Sequence, residues 1–290
     1  MQPLHEYLIK AVYFAPRGRK RIYELGAHLA QRYLSADDSL IGVIGDAGAG
    51  KSALIQGMFP GLELTNDDEG INVRPLPLLD HFENSSFDYH TYHLDAHFEM
   101  AFARPNLLAE AVHKALREGC RVVVEHFDLL YPALQINAHV LVGIGQEVII
   151  ARPGLFGPYP DEIKSAVFKS LYYRKMAHSA EDITLLVLER MGVPPPDGHG
   201  DICSGFILYY NMRPAAELAL AEELVKDMIS RDLPIAPAGN REILIGDVSR
   251  YCTGPRLHLR STGEICNFRL EKDYLRDPLT GVYSIIGKVG

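Results

Sequence analysis

Apolar runs that alternate with amphipathic segments predict an α/β domain with a mostly parallel sheet in the first half of the chain. Residues 39–44, SLIGVI, form a short apolar run that is typical of a buried parallel strand. Residues 51–59, KSALIQGMF, follow with helical spacing, and residues 104–119 form an amphipathic helix pattern that Gly119 ends. Further strands are predicted at 87–95, 120–125, 137–145 and 147–153.

The second half has a different order of elements and predicts an α+β domain. The Pro- and Gly-rich stretch at 156–163 predicts the boundary, so the expected domains are 1–160 and 161–290. After it, the pattern predicts these elements in order: a helix from Pro160 to Met191, a loop at 192–200, a strand at 202–212, a helix at 214–232, and short strands and turns to the end. The first 35 residues are predicted to be helical and basic.

Composition and charge narrow the class of protein. Of the 290 residues, 47% are apolar and 23% are charged, as in ordinary globular proteins. The net charge of -8 argues against a protein that coats nucleic acid without specificity. The four cysteines form no CxxC pair, and no apolar run is long enough to span a membrane. We therefore expect a cytoplasmic protein that has no disulfide and no contact with membranes.

The most specific motif is GDAGAGKS, which has the GxxxxGK[ST] spacing of a phosphate-binding P-loop. Glycines let the backbone approach phosphate oxygens closely, and the helix that follows directs its positive dipole end at them. Lys51 is expected to neutralise phosphate charge, and Ser52 is expected to ligate Mg²⁺. The predicted nucleotide-binding residues are Gly45, Asp46, Ala47, Gly48, Ala49, Gly50, Lys51, Ser52 and Ala53.

Phosphoryl transfer also needs a carboxylate near Mg²⁺ and a group that positions the nucleophile. Asp95 and Glu125 end predicted strands, where open α/β sheets build their sites. Asp95 is predicted as a second Mg²⁺ ligand and Glu125 as the residue that orients water or an acceptor hydroxyl. For the neighbouring His93, His97 and His126, a structural or surface role is favoured. The acidic triplet Asp67, Asp68 and Glu69 is predicted to be a solvated turn.

The first half resembles the bacterial ATPase that takes part in making threonylcarbamoyladenosine in tRNA. The family has the same glycine loop, then a His-x-Asp strand, here His93-Leu94-Asp95, and then a strand that ends in Glu, here Glu125. The likeness covers about residues 38 to 150, although this chain has HLDAHFE where the family prefers a Tyr-Arg pair after the Asp. Small P-loop kinases share this plan, so the resemblance implies ATP binding and leaves the substrate open.

Two motifs stand out in the second half: HSAED at 178–182, and His258 with the following LRSTGEI. With them, residues from about 170 to 272 resemble the second additional domain of alanyl-tRNA synthetase, an editing module. The likeness is closest at His258 and LRSTGEI, and HSAED stands where the family has His-x-x-x-His. The resemblance implies a Zn²⁺ site formed by His178, Asp182, Cys252 and His258. Asp182 replaces the second helical histidine, and Cys252 lies six residues before His258, where the family spacing is four.

Three functions are compatible with these patterns. The first is an ATP-binding protein that hydrolyses ATP or transfers its γ-phosphate, with an editing-like domain that recognises an amino-acid-like group. The second is a metal-dependent hydrolase of misacylated tRNA that the P-loop domain regulates. The third is a non-catalytic module that senses nucleotide. The acidic net charge favours a small-molecule or protein partner over tRNA.

Overall fold

The computed structural model describes residues 8–65, 76–84, 86–239, 241–252, 254 and 257–290. The chain divides into two compact units, Met1–Lys169 and Ser170–Gly290. The division falls within one continuous helix, α7 (Pro160–Arg190), between residues 169 and 170 rather than at 160. The Pro- and Gly-rich stretch therefore marks where this helix begins, because proline is well tolerated in the first turn of a helix.

A six-stranded sheet forms the centre of the first unit, in the order β1-β6-β5-β2-β4-β3. Its strands are β1 (Lys10–Phe14), β2 (Leu40–Ile44), β3 (Thr91–Asp95), β4 (Arg121–Glu125), β5 (Val140–Ile144) and β6 (Glu147–Ala151). Strands β5, β2, β4 and β3 are parallel, and β6 and β1 are antiparallel to their neighbours. The prediction of an α/β fold with a mostly parallel sheet is confirmed.

The helices of this unit differ from the predicted ones mainly at the start of the chain. They are α1 (Arg19–Tyr33), α2 (Lys51–Met58), α3 (Pro77–Asn84), α4 (Ala96–Glu99), α5 (Pro105–Arg117) and α6 (Phe127–Leu134). The expectation of a helical first segment is wrong for Lys10–Phe14, which pairs with β6 as an edge strand. Pairing along β6 satisfies its backbone groups, and local helix propensity does not outweigh that gain.

Helices α1 and α2 cross where both carry a glycine. A Cβ on Gly26 would lie 2.3 Å from the Leu54 carbonyl oxygen, and a Cβ on Gly57 would lie 2.0 Å from the Tyr23 carbonyl oxygen. Both contacts are with backbone, so rotating a side chain cannot relieve them. The absence of a side chain at these positions thus lets α2 lie directly against α1.

The second unit is an α+β structure with two antiparallel sheets, β12-β14-β8-β7 with β13 beside β14, and β11-β10-β9. Its strands are β7 (Gly198–Ile202), β8 (Gly205–Tyr210), β9 (Ile235–Pro237), β10 (Glu242–Ile245), β11 (Val248–Tyr251), β12 (Arg269–Leu270), β13 (Leu275–Arg276) and β14 (Tyr283–Lys288), and its second helix is α8 (Leu218–Ser230). The predicted loop at 192–200 is wrong for Gly198–Gly200, which pair with β8. Among the described residues, no helix combines the length and the apolar character needed to cross a bilayer.

Candidate functional site

The glycine-rich loop joins β2 to α2 at the carboxyl edge of the parallel strands. Gly48 and Gly50 have φ values of 78° and 103°, which side chains with a Cβ rarely adopt. The Asp46 carbonyl oxygen accepts hydrogen bonds from Ala49 N at 3.2 Å and from Lys51 Nζ at 3.0 Å. The loop therefore turns tightly around the point where Lys51 begins α2.

Lys51 and Glu125 form a buried ion pair at this edge. Lys51 Nζ lies 3.5 Å from Glu125 Oε1, and the two side chains are 5% and 6% exposed. Burial alone would raise the pKa of Glu125, but His93 and Lys51 outweigh burial and hold this pKa below its usual value. Glu125 is therefore a carboxylate at neutral pH, so it can accept a hydrogen bond but cannot donate one.

His93 lies between Glu125 and Thr65. Its Nδ1 accepts from the Thr65 backbone N at 3.1 Å, and the Thr65 hydroxyl lies 3.2 Å from the same nitrogen. Its Nε2 lies 3.5 Å from Glu125 Oε2, which is too long for a well-formed hydrogen bond. Neither of these two atoms has a hydrogen-bond partner among the described residues.

Asp95 lies beside Glu125, as the strand pattern predicts. The two are register partners at the ends of β3 and β4. Asp95 is the N-cap of α4, because its Oδ1 accepts from Phe98 N at 3.0 Å. Ser52 lies in the first turn of α2 and is partly exposed. The proposed pair of Mg²⁺ ligands thus consists of one residue that follows the glycine loop and one strand-end carboxylate.

Glu99 is a polar residue of this region that sequence reasoning missed. It is fully buried, and neither carboxyl oxygen has a hydrogen-bond partner among the described residues. Burial raises the pKa of Glu99 to about 8, and the charge of Asp95 adds to this effect, although the nearby Thr65 side chain opposes it. Glu99 is therefore mainly protonated at pH 7. No sequence signal marks it, because an acidic residue in a first helical turn is usually a solvated one.

Two further histidines and a carboxylate lie near the strand end of β4. His126 has a left-handed backbone, with φ 56°, and its ring centroid lies 5.3 Å from that of His97. Burial, followed by the charge of Lys51, lowers the pKa of His126, so this ring is neutral at pH 7. Asp128 Oδ2 accepts from Lys164 Nζ at 2.9 Å. These groups add polarity to the edge that carries Lys51 and Glu125.

A separate cluster in the second unit consists of Asp182, Cys252 and His258. One ligand atom from each lies within 4.8 Å of the others. His258 Nε2 is 2.9 Å from Asp182 Oδ2 and 4.0 Å from Cys252 Sγ. Zinc bonds of about 2.0–2.3 Å in a tetrahedron place ligand atoms about 3.3–3.7 Å apart, so His258 Nε2 lies closer to Asp182 Oδ2 and farther from Cys252 Sγ than it would with the ion bound. The donor set of thiolate, imidazole and carboxylate is one that Zn²⁺ accepts.

The geometry of this cluster distinguishes a metal site from a nucleophilic triad. In a triad, the base contacts the nucleophile through one ring nitrogen and the acid through the other. Here Nε2 of His258 faces both Cys252 and Asp182. Burial would lower the pKa of His258, but Asp182 and Cys252 raise it to about 9. The three atoms converge on one position, and a metal ion that binds there must displace the proton that His258 Nε2 shares with Asp182 and Cys252.

The fourth predicted ligand, His178, has a different partner. Its Nε2 lies 3.1 Å from Asp201 Oδ1, and its ring centroid lies 6.1 Å from that of His258. A nearby histidine, His199, contacts Glu181 Oε1 through Nδ1 at 2.7 Å. The structure therefore groups three of the four predicted residues and places His178 beside that group.

The Thr262-Gly263-Glu264 motif forms structural contacts close to His258. The Thr262 hydroxyl donates to the Met228 carbonyl at 2.8 Å and accepts from Leu233 N at 2.9 Å. Glu264 Oε1 accepts from the backbone of Ser261 at 3.1 Å as part of a capping box. The motif therefore joins the end of α8 to the segment that carries His258.

Some predicted residues lie outside the described residues. They are Asp67, Asp68 and Glu69. Comparison with known proteins does not assign either site: no family model matches the chain, and no curated protein is significantly similar to it. The geometry of the two clusters is therefore the basis for the functional assignment.

Proposed function

We propose that the first unit binds ATP with Mg²⁺ and hydrolyses it or transfers its γ-phosphoryl group to an acceptor. The position of Lys51 carries this proposal. Its ammonium group is enclosed between Glu125 Oε1 and the Asp46 carbonyl, directly behind a loop whose Gly48 and Gly50 have positive φ. A buried cation beside a glycine-rich turn and a helix N-terminus is suited to a ligand with several anionic oxygens.

Each residue of the edge then has a defined task. The backbone N–H groups of the loop and Lys51 bind the phosphates, and Ser52 and Asp95 hold the magnesium ion. When bound, Mg²⁺ neutralises charge on the phosphate oxygens. Glu125, which is ionised, accepts a hydrogen bond from water or from an acceptor hydroxyl and so orients its oxygen. Glu125 is 4% exposed and lies beside Lys51, so its carboxylate is close to the cation that would contact the phosphates.

The test of nucleotide binding compares two lysine variants. Lys51→Ala should lower ATP affinity about 100-fold, or about 2.7 kcal/mol, because a charge-assisted contact is lost. Lys20→Ala is the matched control, since the Lys20 side chain is 90% exposed and pairs with Glu24 on its own helix. Calorimetric titration with Mg·ATP measures both. Equal affinities in the two variants would refute the proposal.

The test of chemistry uses Glu125→Gln. This variant keeps the shape of the side chain and removes its charge, so we expect ATP affinity to stay within about threefold while turnover falls about 100-fold or more. A panel of amino acids and nucleosides then separates a kinase, which one compound stimulates, from a simple ATPase. A wild-type protein that binds ATP without turnover would be a nucleotide sensor instead.

A second candidate function rests on the Asp182–Cys252–His258 cluster. We infer that the second unit holds a Zn²⁺ ion and hydrolyses an ester of the aminoacyl type. Three protein ligands leave a fourth position open for water, which is the arrangement of catalytic zinc sites. His258→Ala should reduce zinc content measured by mass spectrometry from one ion per chain to none. His199→Ala is the control, because His199 is half exposed and contacts Glu181 instead. Zinc retained by His258→Ala would exclude this site.

A further inference from the structure

A line of buried polar groups connects the backbone of Asp95 with the carboxylate of Glu125. Asp95 N donates to Thr65 Oγ1 at 3.3 Å, and Thr65 Oγ1 lies 3.2 Å from His93 Nδ1. His93 Nε2 faces Glu125 Oε2 at 3.5 Å. All four residues are at most 4% exposed, so water competes little with these contacts.

The contacts with Thr65 determine which ring nitrogen of His93 carries the hydrogen. The Thr65 backbone N–H points at His93 Nδ1, so this nitrogen must be an acceptor and carries no hydrogen. The Thr65 hydroxyl accepts from Asp95 N and lies 3.2 Å from the same nitrogen. A neutral imidazole with a bare Nδ1 carries its hydrogen on Nε2. This nitrogen lies 3.5 Å from Glu125 Oε2, within the range of a charge–dipole contact in a buried site.

We propose that His93 is a positioning residue that holds the Glu125 carboxylate through its Nε2–H tautomer, while Thr65 fixes that tautomer. The inference rests on the proposed ATP chemistry. His93 Nε2–H acts on Oε2 and Lys51 acts on Oε1, so the two groups restrain the carboxylate from both sides. Rotation of the carboxylate would cost both contacts, and its orientation toward the reacting hydroxyl is thereby limited.

The tautomer can be measured without any turnover. Nitrogen NMR of the intact chain with labelled histidine separates the Nε2–H tautomer, the Nδ1–H tautomer and the imidazolium, and the His93 signal is assigned by its absence in His93→Gln. We expect Nε2–H. The Nδ1–H tautomer or an imidazolium would overturn the proposal. This result is independent of whether the protein hydrolyses ATP, so the proposed function can fail without deciding the role of His93.

Kinetics then tests the effect on the reaction. His93→Leu removes the donor and should lower kcat roughly 10–100-fold, as loss of an orienting partner does, with KM for ATP within about twofold of wild type. His93→Gln keeps an N–H donor near the position of Nε2 and should recover at least part of that loss. A kcat for His93→Leu equal to that of wild type would overturn the proposal, and so would equal losses in Leu and Gln variants that are both folded by circular dichroism.

His139→Gln is the matched control for these variants. His139 Nδ1 also accepts a backbone N–H, from Leu40 at 3.1 Å, but Leu40 begins β2 at the edge away from the glycine loop. This substitution therefore changes a comparable histidine in the same sheet without touching Glu125. We expect its kcat to stay within about twofold of wild type. A loss as large as that of His93→Leu would show a general effect on folding and would overturn the proposal.

Discussion

The two polar clusters differ in how their polar atoms are arranged. In the first unit they spread along the carboxyl edge of a sheet, and Glu125 Oε2, His93 Nε2 and both oxygens of Glu99 have no hydrogen-bond partner among the described residues. In the second unit, three donor atoms from Asp182, Cys252 and His258 converge within 4.8 Å. A spread arrangement suits an extended ligand with many oxygens, and a convergent one suits a single ion.

The clusters also differ in how charge is stabilised. Glu125 is ionised because Lys51 and His93 offset the cost of burying it. His258 is held in its charged form because Asp182 and Cys252 outweigh burial. Each cluster thus contains one side chain whose charged form depends on its neighbours. Cationic neighbours stabilise charged Glu125, and Asp182 and Cys252 stabilise charged His258. Replacing a neighbour of Glu125 should therefore change only the first cluster, and replacing a neighbour of His258 should change only the second.

The largest expected effect tests whether tertiary packing supports the glycine loop. Gly57→Ala places a Cβ 2.0 Å from the Tyr23 carbonyl oxygen, so α2 must move away from α1. We expect a loss of about 3 kcal/mol in the free energy of unfolding of the first unit. Urea unfolding followed by circular dichroism measures it. ATP affinity should fall about tenfold, since α2 carries Lys51.

The control for this variant is Gly198→Ala in the second unit. A Cβ there would have its nearest neighbour, Tyr209 Cδ2, at 3.7 Å, which is ordinary contact. We expect a change below about 1 kcal/mol and unchanged ATP affinity. If Gly57→Ala retained full ATP affinity, the loop would be positioned by its local sequence alone.

The next effect concerns the cluster of Asp182, Cys252 and His258 in the second unit. Asp182→Ala removes the carboxylate that contacts His258 and should lower zinc affinity about 100-fold, or about 2.7 kcal/mol. Competition with a chromogenic chelator measures this affinity. Glu271→Ala is the control, because Glu271 pairs with Lys288 and its side chain is 47% exposed. Equal zinc affinity in both variants would contradict the assignment of Asp182 as a ligand, and a change in ATP affinity would contradict the independence of the clusters.

A smaller effect depends on pH and tests the first cluster alone. The pKa of Glu99 is about 8 in the folded chain and 4.5 as a reference. Because the folded chain binds this proton more tightly than the unfolded chain, the proton stabilises the folded state. The stabilisation is complete below the reference pKa of 4.5 and is lost as the pH rises through the folded pKa of about 8. Glu99→Gln has no such proton. Its stability relative to wild type should therefore rise between pH 6 and pH 8, by about 2 kcal/mol.

Urea unfolding at several pH values measures this difference for the first unit. Glu118→Gln is the control, since Glu118 is exposed at the end of α5. It should show no comparable dependence on pH. A constant difference between Glu99→Gln and wild type across this range would show that Glu99 is ionised at neutral pH.

The smallest effect concerns the capped turn at 262–264, which follows the segment that carries His258. Glu264→Ala removes the side chain that caps the turn at 262–264 and should cost about 1 kcal/mol in the unfolding of the second unit. Glu264→Gln keeps an acceptor oxygen and should cost about half as much or less. Thermal unfolding by circular dichroism compares the two. Equal losses would show that the charge of Glu264, rather than its capping bonds, stabilises the turn.

The sequence predicted the elements that depend on local pattern. The apolar run of β2, the glycine loop and the start of α2 follow one another, and Asp95 and Glu125 lie together because parallel strands end at one edge. It did not predict β1 or β7, since both depend on pairing with a partner strand. It also missed the roles of Thr65 and Glu99, whose neighbours come from separate segments.

Some properties of this protein follow from the residues alone. Gly48 and Gly50 permit positive φ because they lack a Cβ, and this steric freedom does not depend on the rest of the fold. Lys51 likewise follows the loop by its position in the chain. Tertiary structure alone decided that Glu99 is neutral and that His178 contacts Asp201. Burial and proximity of distant residues arise only when packed elements exclude water, and no local pattern encodes that exclusion.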